Sequence, residues 1–118
     1  MKKYIVLFIL ISMNFACSKI KEKPITEVSQ DEFKKVFLLD VRTPEEFSAG
    51  HINNALNINL FDADFITKAQ AQLPRKQTIY VYCKVGGRSA KASEELAALG
   101  YTVVNLQGGF DAYVKPKQ

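Results

Sequence analysis

Thr78-Ile79-Tyr80-Val81-Tyr82-Cys83-Lys84-Val85-Gly86-Gly87-Arg88 passes from a β-branched and aromatic run, through one cysteine, into a glycine-containing loop. The residues that follow, Arg88 to Leu99, are rich in helix formers and place Ala92, Leu96 and Leu99 on one face, with Gly100 as a stop. The stretch therefore predicts strand, tight loop and helix in that order. β-Branched and aromatic residues fit a half-buried pleat, which makes 78–82 the clearest strand in the chain.

The flanking sequence repeats this alternation. Val36 to Val41 is an apolar run closed by Asp40, as expected of a strand buried on both faces. Thr43 is positioned to cap a helix with Pro44 first and Glu46 third, and Gly50 ends it. Ser29 and Glu32 make a second capping pair, opening a short helix through Lys35. Ile25 to Val28 reads as a short edge strand and Ala55 to Ile58 as another. A helical stretch is expected around Asp62 to Leu73, stopped by Pro74, and a last strand over Tyr101 to Leu106. Strands alternating with helices predict an α/β fold: a three-layer α/β/α sandwich on a mainly parallel sheet.

At 118 residues there is room for one domain and an appendage. A composition of 47% hydrophobic and 24% charged residues is that of an ordinary folded domain. The formal charge is +4, and it falls to +2 without Lys2 and Lys3. So mild and scattered an excess argues against nucleic acid as a partner.

Lys2 and Lys3 precede an almost unbroken apolar run from Tyr4 to Met13. Its ten residues are too few to cross a hydrocarbon core, which needs about 20, but they suit the apolar part of an export signal. Asn14-Phe15-Ala16-Cys17 follows and resembles a bacterial lipoprotein lipobox, which implies lipidation of Cys17 as the new N-terminus. A signal cleaved without lipid and an uncleaved anchor are the alternatives. The expected organisation is a signal over 1–17, a polar tether over 18–24 and a domain over 25–118, periplasmic or at the cell surface on a lipid anchor. If lipid takes Cys17, Cys83 is the one thiol left, so no intramolecular disulfide can form.

In parallel sheets, ligands bind beyond the carboxyl ends of the strands. Cys83 sits at such an end, next to a helix start whose N–H groups lack intrahelical partners. That setting stabilises a thiolate and can cradle an anion beside it. The same N–H groups suit a persulfide, whose outer sulfur is also anionic. Arg88 and Lys84 add formal charge for an anionic donor, and the Gly86-Gly87 backbone lets the loop curl. The bland reading of Cys83, a small core residue ending a strand, is outweighed by the Lys-Val-Gly-Gly-Arg loop that follows.

From about Ser29 to Val114 the chain resembles a rhodanese domain. Three ordered motifs carry the resemblance. They are Leu39-Asp40-Val41-Arg42-Thr43-Pro44-Glu45-Glu46-Phe47 with Gly50-His51-Ile52 and Ala55-Leu56-Asn57-Ile58, then Tyr82-Cys83-Lys84-Val85-Gly86-Gly87-Arg88-Ser89-Ala90, then Leu106-Gln107-Gly108-Gly109-Phe110. The resemblance implies a catalytic Cys83, a substrate-binding loop of Lys84, Val85, Gly86, Gly87 and Arg88, and supporting roles for Asp40 and Arg42. It implies sulfur transfer from an anionic donor such as thiosulfate to cyanide or a thiol, by a monomer with no cofactor and no metal. The loop from Cys83 to Arg88 has six residues. In the family that length goes with sulfur transfer, whereas related phosphatases and arsenate reductases carry a loop one residue longer. Phe110 and Tyr113 stand where the family often has tryptophan, which is read as a packing substitution.

Asp40 and Arg42 are expected to pair or to support the loop. His51, the one histidine, would suggest a Cys–His dyad only in a protease-like context, and a structural role is expected. Glu45, Glu46, Asp62 and Asp64 are expected to serve helix dipoles, and Tyr80 and Tyr82 to fill core. The rival functions are a non-catalytic binding module and a thiol redox protein. The missing C-x-x-C partner argues against the second.

Overall fold

The computed structural model describes residues 20–116. Their sheet holds five strands, β1 (Ile20–Pro24), β2 (Phe37–Asp40), β3 (Leu56–Asn57), β4 (Ile79–Tyr82) and β5 (Val103–Gln107), in the order β1-β5-β4-β2-β3. Every pairing is parallel. Five α-helices connect and flank them: α1 (Gln30–Lys35), α2 (Pro44–Ala49), α3 (Phe65–Gln72), α4 (Gly87–Ala98) and α5 (Gly109–Val114).

The alternation along β4 explains the layering. Side chains on a strand point to opposite faces in turn. Ile79, Val81 and Cys83 join a core with Ala69 of α3 and Ala92 and Leu96 of α4. Tyr80 and Tyr82 join the other core, with Phe33 of α1 and Phe110 and Tyr113 of α5. Helices cover both faces, so the α/β fold is the three-layer sandwich read from the sequence. Tyr82 is fully buried, and its hydroxyl accepts a bond from the Ile52 N–H at 3.1 Å. Phe110 stacks on Tyr82 at 6.3 Å and on Tyr113 at 6.0 Å, so these two aromatics act as packing groups.

The helix starts are built as their sequences specify. Ser29 accepts from the Glu32 N–H at 3.0 Å, and Thr43 with Glu46 forms a reciprocal capping box. Gly100 takes a φ of +100° just past α4, a conformation that suits glycine.

Three boundaries differ from the sequence reading. Ile20–Pro24, expected to end a polar tether, is strand β1 and pairs with β5 over its whole length. The segment is polar because it is an edge: Lys21 and Glu22 are exposed, and Pro24 costs nothing on a side that needs no donor. The sheet thus starts before the expected domain boundary at 25. Ile25–Glu27, expected to be an edge strand, is a 3-10 turn with Ile25 buried. α3 begins at Phe65 rather than near Asp62, because Asp62 and Asp64 sit in the turn before it. Both pair with Lys68, at 2.9 and 3.4 Å, instead of capping the helix. The signal, Cys17 and the first part of the expected tether lie outside the described residues.

Candidate active site

Cys83 follows β4, which lies between β2 and β5 in the middle of the sheet. The next residues turn directly into α4 with Gly86 as its N-cap. Gly86 adopts a φ of +136°, which its missing side chain permits. This turn brings the Gly86 N–H to 3.0 Å from the Cys83 sulfur. The thiol also donates to the Ser89 hydroxyl at 3.5 Å, and that hydroxyl donates to the Gly86 carbonyl at 3.2 Å. Once Cys83 has lost its proton, Ser89 is placed to donate to the sulfur instead. The residue is only 1% exposed. Burial by itself suits an inert core thiol; bonding of the sulfur to a helix N-cap is what an anionic sulfur uses. The N–H groups of Gly87, Arg88 and Ser89, in the first turn of α4, lack intrahelical acceptors and face the same end.

The loop is held from behind by α5. Phe110 N–H donates to the Cys83 carbonyl at 2.8 Å and Asp111 N–H to the Lys84 carbonyl at 3.0 Å. This approach requires glycine at 109. Its φ is +63°, and a Cβ there would lie 2.6 Å from the Cys83 oxygen and collide with that of Lys84. Gly109 therefore serves the site, a role its position in sequence, 26 residues from Cys83, does not reveal.

The two loop cations are not free. Arg88 is bound to Glu46 of α2 through both nitrogens, at 2.7 and 3.0 Å, and lies over the Phe61 ring at 5.6 Å. Lys84 reaches Asp111 at 2.7 Å. The charge expected to attract an anion is thus present at the loop but shared with Glu46 and Asp111. Hydrogen bonds from Arg88, opposed by burial and reinforced by the Thr43 N–H and hydroxyl, hold the Glu46 carboxyl down at about 2. Glu46, expected only to serve its helix dipole, also fixes Arg88.

Asp40 and Arg42 form a buried pair at the end of β2, with both carboxylate oxygens engaged at 2.6 to 3.0 Å. Burial opposes the Arg42 charge, but its bonds to Asp40 more than restore it and raise its pKa. Arg42 also donates to the Gly50 carbonyl at 2.7 Å and lies 4.5 Å over the Phe110 ring. The pair ties α2 and α5 to the sheet, a supporting role. Val85, in the loop between Cys83 and Gly86, is 64% exposed. His51 stacks on Phe47 at 3.7 Å, bonds its carbonyl at 2.8 Å and is exposed. A cavity of about 570 Å³ lies elsewhere, along Lys21, Thr78, Tyr80, Thr102 and Val104, and Cys83 is not among its lining residues.

The family model for the rhodanese-like domain matches residues 25–116, most of the chain. The chain belongs to the rhodanese-like domain family. Among its rhodanese relatives, "Thiosulfate sulfurtransferase 16, chloroplastic" of Arabidopsis thaliana is 38% identical over 87 residues, covering 65% of this chain and 72% of that one. "Thiosulfate sulfurtransferase PspE" of Escherichia coli is 36% identical over 80 residues, covering 67% and 75%. The chain spans about half or less of several longer relatives. The crystal structure of a rhodanese-like domain protein from Staphylococcus aureus is similar with a TM-score of 0.70 at 31% identity, covering 83% of this chain and 99% of that one.

Proposed function

We propose that this rhodanese domain is a sulfurtransferase carrying sulfane sulfur on Cys83. The carrying observation is the 3.0 Å bond from the Gly86 N–H to the Cys83 sulfur at the start of α4. The thiolate attacks the outer sulfur of thiosulfate. A new S–S bond forms, the donor's S–S bond breaks, and sulfite leaves with the electron pair. Cyanide or a thiolate then takes the outer sulfur, and Cys83 returns to its thiolate. In both steps negative charge stays within reach of the same N–H groups, which is the basis of the catalysis. Since Arg88 and Lys84 are already paired, the donor is held by backbone N–H groups more than by free cations. Among the described residues Cys83 has no second cysteine beside it, which favours sulfur transfer over disulfide exchange. The names of the two sulfurtransferase relatives support the same reading.

Thiocyanate production from thiosulfate and cyanide tests this. The wild type should turn over and Cys83→Ser should not. A folded wild type that transfers sulfur neither from thiosulfate nor from a small-molecule persulfide would favour a binding module instead.

The apolar run before Ala16-Cys17 supports export and acylation at Cys17, with the domain outside the cytoplasm. Radiolabelled palmitate should enter the protein and be lost in Cys17→Ala. Labelling that persists in the variant would remove the lipid anchor from the account.

A further inference from the structure

Taking acylation of Cys17 from the reading above, we infer that the N-terminal edge of the sheet lies against the anionic lipid surface and that Cys83 faces away from it. Two independent observations carry this. The first is chain length. Ile20 opens β1, and only Ser18 and Lys19 separate it from Cys17. Three Cα steps span at most about 11 Å, so the lipid attachment point is leashed to one edge of the domain. The strand register then sets the direction. Ile20 pairs with Val103, and Val103 with Ile79, so the start of β1 is level with the start of β4. Cys83 is four residues further along the parallel direction, about 13 Å at 3.3 Å per residue.

The second observation is charge. The segments entering β2 and β4 from this edge carry Lys34, Lys35, Arg75 and Lys76, all exposed, and no acid; β1 adds Lys21, and the acids beside this edge are Glu22 and Glu27. The nearest acid on α4 is Glu95, in the last turn of the helix. The sixteen basic side chains less Lys2, Lys3, Lys19 and Lys117 leave twelve in residues 20–116, equal to the twelve acids. Away from this edge, seven basic side chains therefore face ten acidic ones. The domain is polarised, with its positive end where the lipid is attached and its negative end around the site. A surface of anionic headgroups attracts the first and repels the second. Sulfur donors and acceptors then reach Cys83 from the aqueous side.

The full-length protein, purified from membranes and weighed intact to establish acylation, is placed in vesicles of phosphatidylglycerol and phosphatidylcholine. Its lysines are acetylated with a membrane-impermeant reagent and read by peptide mass. Relative to detergent, labelling of Lys21, Lys34, Lys35 and Lys76 should fall by at least about fivefold. Lys84 and Lys91 should keep their detergent values. Lys34→Glu with Lys76→Glu should abolish the protection of Lys21 and Lys35 and leave thiosulfate:cyanide turnover unchanged. Uniform labelling of an acylated protein would overturn the orientation while leaving the anchor intact. An unacylated mass would overturn both, and the weighing tells the two failures apart.

Discussion

Gly109→Ala is the substitution that probes the loop's support most sharply. Alanine at φ +63° is strained by about 1–2 kcal/mol. Its Cβ would also stand 2.6 Å from the Cys83 carbonyl oxygen, an overpacking worth about 1–3 kcal/mol. Relief requires α5 and the loop to part, which sacrifices the Phe110 and Asp111 N–H bonds to the Cys83 and Lys84 carbonyls, at about 1 kcal/mol each. The routes are alternatives rather than additive, so about 3 kcal/mol is expected in urea unfolding. At roughly 4–8 °C per kcal/mol, Tm should drop by more than 10 °C. The Cys83 backbone moves in the process, and displacement of a reacting group by about 1 Å costs on the order of 10²-fold in rate. Single-turnover persulfide formation, measured on the folded fraction, should fall by that amount. Gly108→Ala is the comparison: its Cβ meets Ala112 at 2.8 Å and is not against the loop. It should lose stability with far less loss of rate. A Gly109→Ala protein as stable and as fast as wild type would refute the buttress.

Glu46→Gln should release Arg88, lower KM for thiosulfate and cost about 1–2 kcal/mol at pH 7, allowing for partial exposure of the pair. The folded carboxyl sits at about 2, below its ordinary 4.5, so its contribution is complete above pH 4.5 and disappears as pH falls toward 2. Acid unfolding should therefore be shallower in the variant over that window. Asp40→Ala leaves the Arg42 guanidinium buried without its carboxylate and should cost about 3–5 kcal/mol in denaturant unfolding. His51→Ala should keep its sulfur-transfer rate across pH 6 to 9, whereas a large loss would reinstate a Cys–His dyad. A chain beginning at Ile25 lacks β1 and exposes the β5 edge, so light scattering should detect association that a chain beginning at Ser18 does not show.

The legible parts of this molecule were those whose cause is local. The strand at 79–82, the Ser29 cap, the Thr43–Glu46 capping box and the glycine stop of α4 follow from neighbours a few residues apart. Cys83 was legible for the same reason, since strand end, loop and helix start are contiguous. β1 was not. An edge strand buries little, so Ile20–Pro24 has the composition of a tether, and only its partner β5, some 80 residues on, makes it a strand. The compensation of Arg88 by Glu46 and of Lys84 by Asp111 joins residues 42 and 27 apart, which no periodicity records. Gly109 was visible as part of a motif, but its reason, the close approach to Cys83 and Lys84, exists only in three dimensions.

The central claim is that Cys83 carries sulfur, and intact mass tests it most directly. The protein from Ser18 to Gln118 is weighed before and after thiosulfate. A gain of one sulfur, ~32 Da, that cyanide removes and Cys83→Ala lacks is the predicted result. A folded protein with a titratable Cys83 thiol and no gain from thiosulfate or from a small-molecule persulfide would contradict it.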